Sequence, residues 1–74
     1  MDNAVIDTER AAWFRATLRF LDHGLCERNA AWESWLAWCA LRSLDTGSRT
    51  SHYRWLLAIG ARHHGRFFRR IKLL

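Results

Sequence analysis

Apolar residues recur at helical spacing near the start of this chain. The first stripe consists of Phe14, Leu18, Leu21 and Leu25. Residues three and four apart lie on one face of a helix, so this stripe predicts a first helix over about residues 8–24. Asp7 or Thr8 would cap its start, and Gly24 would end it.

Two further segments carry apolar residues at similar spacing. Residues 30–44 are apolar on nearly every side, which predicts a central second helix. Residues 49–64 predict a third helix, and residues 66–74 predict a short basic C-terminal helix. We therefore expect one all-α domain over residues 1–74, folded as a compact three- to four-helix bundle with short connections.

The composition supports a small core rich in aromatic side chains. Half of the 74 residues are hydrophobic, five are Trp and none is Pro. A chain of this length buries only about 60% of its unfolded surface, so some Trp side chains are expected at an interface. The candidate interface residues are Trp32, Trp35 and Trp38. The two cysteines, Cys26 and Cys39, are expected to be reduced and packed.

Charge divides the sequence into two unlike parts. Residues 1–47 hold all seven acids and five Arg, a net charge of −2. Residues 48–74 hold six Arg, one Lys and no acid, a net charge of +7. This asymmetry predicts a polyanionic or acidic partner.

No residue pattern indicates catalysis or a cofactor. Nucleophile elbows, phosphate-binding glycine loops and HExxH motifs are missing, so we expect a binding protein rather than an enzyme. A zinc site built from His23, Cys26, Cys39 and His52 is the weaker alternative, because the second pair lacks the usual short spacing. With no apolar run of membrane-spanning length, the sequence predicts a soluble cytoplasmic protein of a bacterial cell or a phage-infected host.

One polar segment suggests how a polyanion could be bound. The run Thr46-Gly-Ser-Arg-Thr-Ser-His-Tyr-Arg-Trp-Leu56 resembles the turn and recognition helix of helix-turn-helix DNA-binding proteins. The resemblance implies a helix whose exposed start enters the major groove. The residues it implies as contacts are Arg49, Thr50, Ser51 and Arg54, with arginine reading guanine and hydroxyl groups holding phosphates.

Two alignments with that family are open. When Ser48 is aligned with the family's turn, its buried aliphatic position falls on His52 and its small position in the preceding helix falls on Arg42. A shift by one residue moves these positions to Tyr53 and Ser43. That shift places Ser48 where an apolar turn residue belongs.

The basic tail is the second candidate contact. Its candidate residues are Arg62, His63, Arg66, Arg69 and Arg70. They could bind a phosphate backbone, an anionic membrane surface or an acidic protein groove. The alternative is a solvated face over packed apolar residues, which leaves unexplained why residues 48–74 contain no acid.

The leading hypothesis is a binder of nucleic acid or of a nucleoprotein complex. The alternative is a small inhibitor or adaptor that docks on a host protein through Trp and Arg side chains. In its small size, its lack of motifs and its high content of Trp and Arg, the chain resembles phage accessory inhibitors, anti-CRISPR proteins among them. Association with a membrane surface is a third hypothesis, and a homodimer is compatible with each of them.

Overall fold

A computed structural model describes residues 3–74 of the chain, with side chains described from residue 7. The elements in chain order are α1 (Asn3–Thr17), β1 (Leu18–Glu27), α2 (Arg28–Arg42), α3 (Arg49–Ile59), β2 (Arg62–His64) and β3 (Phe67–Leu73). The strands form one antiparallel sheet in the order β1-β3-β2. The fold is mixed α/β, so the prediction of an all-α helical bundle is wrong.

Helix α1 ends at Thr17, well before the end that the apolar spacing predicted. The Thr17 carbonyl accepts the amide of Leu74 at 2.9 Å, so strand pairing starts where the helix stops. The Arg19 guanidinium donates to the carbonyls of Arg15 and Leu18 at 2.8 and 2.7 Å. The bond to Arg15 satisfies a carbonyl in the last turn of α1, where carbonyls have no partner within the helix.

Strand β1 pairs with β3 at both of its ends, and residues 21–24 bulge between the paired segments. Opposite the bulge, Arg70 has a φ of 75°, in the left-handed region. Phe68 and Ile71 are both buried although they are three positions apart. In a regular strand such residues face opposite sides. The irregular strand therefore buries two residues at a spacing that also occurs on one face of a helix, and the helix predicted over residues 66–74 is a strand.

Gly24 lies inside this bulge rather than at the end of a helix. A Cβ atom on Gly24 would stand 2.8 Å from the backbone oxygen of Ile71. Any side chain there would push the two strands apart. The glycine predicted to cap a helix instead permits close contact between backbones.

Helix α3 is shorter than the predicted segment 49–64. It ends at Ile59, and Gly60 follows with a φ of 129°. The two-residue turn Gly65-Arg66 then joins β2 to β3, with Gly65 at a φ of 58°. Such a left-handed glycine suits a tight hairpin turn.

The core lies between the three helices and the sheet. Its buried hydrophobic residues are Trp13, Phe14, Leu18, Cys26, Ala31, Trp35, Cys39, Leu56, Ala61, Phe68 and Ile71. Both cysteines are free thiols, and burial raises the pKa of Cys26 to about 11 and that of Cys39 in the same direction. Two polar side chains, Arg10 and His52, are buried among these residues.

The segment between α2 and α3 is fixed at both of its ends. Ser43 ends α2 in the left-handed conformation, with a φ of 54°. The Trp35 indole donates to the Thr46 carbonyl at 2.9 Å, which attaches the segment to the core. Ser48 caps α3 by accepting the amide of Ser51 at 3.0 Å. The start of α3 is therefore held in a defined position relative to α2.

Candidate nucleic-acid interface

Helix α3 presents a polar face to solvent and an apolar face to the core. Thr50, Ser51 and Arg54 are exposed, whereas His52 and Leu56 are fully buried. Exposed residues three and four positions apart form one stripe on a helix. The exposed start of α3 therefore carries two hydroxyl groups and a guanidinium on a rigid element.

The two alignments with helix-turn-helix proteins place residues of different burial at the family's buried position. The alignment on Ser48 gives that position to His52, which is fully buried, while the shifted alignment gives it to Tyr53, which is partly buried. The alignment on Ser48 also puts Arg42 at the small position, and Arg42 is exposed as the last residue of α2. The chain departs from the family in the residue types at both of these positions, and the resemblance stays a prediction.

His52 sits in an aromatic pocket without a hydrogen-bond partner. Its ring centroid lies 4.9 Å from that of Trp13 and 5.5 Å from that of Trp32. Burial, together with the positive charge of Arg10, lowers the pKa of His52 to about 3. The backbone of Ala31 acts against this shift, although neither ring nitrogen reaches hydrogen-bond geometry. His52 is therefore neutral at physiological pH and adds no charge to α3.

The Arg49 side chain contacts the preceding helix, α2. Its guanidinium lies 5.6 Å from the ring centroid of Trp32 on α2. A cation over an aromatic face gains roughly 0.5–1 kcal/mol at an exposed site. The contact restricts Arg49 near the start of α3, beside the exposed Thr50.

The β2–β3 hairpin is joined to α3 through Arg28 at the start of α2. The Arg28 amide donates to the Arg66 carbonyl at 2.8 Å, and its guanidinium lies 3.3 Å from Nε2 of His63. The Tyr53 hydroxyl donates to the Arg28 carbonyl at 3.1 Å. Sequence analysis missed this role of Arg28, because nothing in its local pattern separates it from other surface arginines.

The candidate residues of the basic tail lie in different surroundings. Arg62 of β2 pairs directly with Arg69 of β3, so two exposed cations are cross-strand neighbours. Arg70 instead lines a small cleft with Phe20 and Asp22, beside the β1 bulge. Like charges placed opposite one another destabilise a sheet unless an anion compensates them. Arg62 and Arg69 thus form one candidate phosphate contact, and Arg70 stands apart from it.

Acids of residues 7–74 form no ion pair with the positive charges of this surface. Among residues 7–74, one ion pair is formed, between Arg10 and Asp7 with a nitrogen–oxygen distance of 3.8 Å. The exposed arginines of residues 48–74 therefore have no ion pair with an acid from that range. An uncompensated cationic surface attracts polyanions at long range.

The three candidate tryptophans have different environments. Trp35 is fully buried, so a partner cannot reach it in this fold. Trp32 and Trp38 are partly buried, and the Arg42 guanidinium lies 3.4 Å from the Trp38 ring centroid. Leu41, which is near Trp38 in sequence, is 84% exposed. Helical periodicity alone could not show whether this leucine is exposed or buried.

Comparisons with protein-family models, with curated proteins and with solved structures gave no match for this chain. Within residues 3–74, no three His, Cys, Asp or Glu side chains are grouped as metal ligands. None of the helices in that range is long and apolar enough to cross a membrane. Interpretation of the basic surface therefore rests on its geometry and charge.

Proposed function

We propose that this protein binds duplex DNA, with the exposed face of α3 in the major groove. The observation that carries this proposal is the rigid, acid-free start of α3, where Thr50, Ser51 and Arg54 are exposed together. Threonine and serine hydroxyls can hold phosphates or base edges, and arginine can read guanine with two parallel hydrogen bonds.

The arrangement of elements supports this proposal. Helices α2 and α3 are consecutive in the chain and are joined by residues 43–48. The β2–β3 hairpin follows α3, and β3 pairs with β1 in the sheet order β1-β3-β2. A fold alone does not establish function, so the proposal depends on the exposed residues of α3.

Duplex DNA fits α3 better than duplex RNA does. The major groove of B-form DNA is about 12 Å wide and admits a helix with its side chains. The major groove of A-form RNA is too narrow for side chains to read. The Arg62–Arg69 pair on the hairpin would contact backbone phosphates, which positions the protein without reading sequence.

The direct test is fluorescence anisotropy with labelled duplex DNA, single-stranded DNA and duplex RNA at several salt concentrations. We expect duplex DNA to bind most tightly. The logarithm of affinity should fall linearly with the logarithm of salt concentration, with a slope of about −0.9 for each phosphate neutralised. Lack of binding to all three nucleic acids at low salt would rule the function out. A preference for duplex RNA would contradict the placement of α3 in the major groove.

One observation favours a second candidate, an inhibitor or adaptor that docks on a protein. Leu41 is 84% exposed at the end of α2, next to Arg42 stacked on Trp38. Arginine and tryptophan are enriched among interface hot spots, and the exposed leucine beside their stack adds apolar surface that a partner could cover. This candidate would be favoured by a purified partner that still binds after nuclease treatment. The partner should also bind less well to Leu41→Asp than to Ala40→Asp. Equal binding of the two variants would count against it.

A further inference from the structure

A cleft of about 570 Å³ opens between α1 and the start of α3. The residues that line it are Asp7, Arg10, Gly47, Ser48, Ser51, Arg54, Trp55 and Ala58. It borders the proposed DNA-binding face at Ser51 and Arg54 and extends inward from there to Arg10. Most of its polar groups are hydrogen-bond donors or hydroxyls, and Asp7 is the one acid in its wall.

Arg10 is a buried cation whose guanidinium lies 5.4 Å from the Trp35 ring centroid and has few hydrogen-bond partners. The residue is only 4% exposed, and its Nε has no hydrogen-bond partner. One terminal nitrogen donates a long bond of 3.4 Å to the Ser51 hydroxyl, and the other lies 3.8 Å from Asp7, whose side chain is 56% exposed. A guanidinium has five N–H donors, and a buried charge without good partners is costly. Burial accordingly lowers the pKa of Arg10.

The start of α3 borders the same cleft. Ser48 lines the cleft and caps α3, and Ser51 lines it one turn further on. The amides of Arg49 and Thr50, between these two residues in the chain, have no intrahelical acceptor because they belong to the first turn. Unpaired amides and the helix dipole together favour an anion at such an end.

Gly47 leaves room for Arg10 at this end of the cleft. It has a φ of 67°, and a Cβ atom built there would stand 3.3 Å from a terminal nitrogen of Arg10. A side chain at this position would be strained and would press on the guanidinium. The turn before α3 is therefore shaped around the buried cation.

We propose that this cleft binds a phosphate group, held between the Arg10 guanidinium and the start of α3. Arg54 would approach the phosphate from the rim, and the hydroxyls of Ser48 and Ser51 would donate to its oxygens. Several converging donors around two guanidinium groups suit a tetrahedral phosphate, whose oxygens point in several directions, better than a planar carboxylate. Trp55 and Ala58 provide an apolar wall for the organic part of a phosphate ester.

The phosphate could belong to a DNA backbone or to a small phosphorylated molecule. A backbone phosphodiester presents two non-bridging oxygens to Arg10 and a phosphate monoester presents three, and the cleft has room for either. The phosphate site does not depend on DNA binding, because the buried cation and the helix start attract an anion in both cases. Competition experiments separate the two sources.

The test is a titration with inorganic phosphate, followed by backbone amide NMR at pH 7.5 and with ionic strength held constant by sodium chloride. We expect saturable shifts in the amides of residues 47–51, with a dissociation constant in the millimolar range. The variant Arg10→Met keeps an apolar stem in the buried site and should weaken binding at least tenfold. Because Arg10 is buried, the exposed Arg54→Met serves as a second variant and should weaken binding severalfold.

The matched control is Arg15→Met, which removes the same charge from an exposed position of α1 outside the cleft lining and should leave phosphate binding unchanged. Asp7→Asn should strengthen binding, because it removes the one acid from the cleft wall. Shifts that do not saturate, or equal weakening in Arg54→Met and Arg15→Met, would overturn the proposal.

A DNA competition assay then identifies the source of the phosphate. If phosphate displaces duplex DNA more effectively than chloride does at equal ionic strength, a backbone phosphate occupies the cleft. If DNA and phosphate bind together, the cleft serves a small phosphorylated molecule. If the protein binds phosphate saturably but binds no DNA, the cleft is a phosphate site and the proposed function fails.

Discussion

The imidazole of His52 lies nearly parallel to the indole of Trp35, with 5.4 Å between ring centroids and 13° between ring planes. Trp35 belongs to α2 and His52 to α3, so this stack joins the two helices of the proposed DNA-binding pair. Both side chains are fully buried. The position of α3 therefore depends on a histidine that must stay neutral.

Stability should fall as the pH is lowered from about 6.5 to about 3. The pKa of His52 is about 3 in the folded chain, against an ordinary value of 6.5, so in this interval the unfolded chain binds a proton that the folded chain does not. The contribution of His52 is fully present above pH 6.5 and is lost at roughly 1.4 kcal/mol per pH unit below it. Urea unfolding at pH 7.5, 6.5, 5.5 and 4.5 measures this loss.

The variant His52→Phe should remove this part of the pH dependence. A phenyl ring fills the aromatic pocket without two unpaired nitrogens, so we expect stability at neutral pH to be equal to or higher than that of the wild type. His64→Gln, on the exposed hairpin, is the control and should keep the wild-type dependence. Identical slopes for His52→Phe and the wild type between pH 6.5 and 5 would contradict the assignment.

The sequence predicted the helices better than it predicted the sheet. The segment 30–44 is close to the observed α2, because its apolar residues and its boundaries are local features. The pairing of β1 with β3 joins residues far apart in sequence, and no local pattern encodes it. Opposite the bulge at residues 21–24, the irregular strand β3 buries Phe68 and Ile71. They are three positions apart, a spacing that also occurs on one face of a helix.

The candidate site was predicted only in part. Exposure of Thr50, Ser51 and Arg54 follows from the amphipathic pattern of α3. The burial of Arg10 does not, since an arginine between apolar residues normally extends to solvent. Its location becomes clear only when α1 packs beside the start of α3.

Gly24→Ala should destabilise the protein by about 3 kcal/mol. Its new methyl group would lie 2.8 Å from a backbone oxygen of β3, which can move only if the sheet shifts. Gly65→Ala is the comparison. It has open space around the new methyl group and a φ of 58°, so it should cost only roughly 1 kcal/mol of backbone strain. Chemical denaturation gives both values, and a smaller loss for Gly24→Ala than for Gly65→Ala would contradict the close contact.

Trp35→Ala should remove a large part of the protein's stability, which makes it unsuitable as an interface test. Truncation of a fully buried tryptophan costs about 3–5 kcal/mol. A domain of this size has a total stability of only about 4–11 kcal/mol. Leu41→Ala, at an exposed site, should change stability by less than about 0.5 kcal/mol. Thermal unfolding monitored by circular dichroism distinguishes the two, and a native-like melting curve for Trp35→Ala would contradict its place in the core.

Arg54→Ala and Arg62→Ala should weaken DNA binding in different ways. Arg54 lies on the exposed face of α3, so its loss should reduce discrimination between preferred and scrambled duplexes by about 1–3 kcal/mol. Arg62 lies on the hairpin opposite Arg69, so its loss should weaken binding to all duplexes alike. It should also make the salt dependence shallower by about one unit of slope. Anisotropy titrations of both variants, on both duplexes and at four salt concentrations, give the two quantities separately. If Arg54→Ala weakens both duplexes equally and changes only the slope, then α3 contacts phosphates and does not read bases.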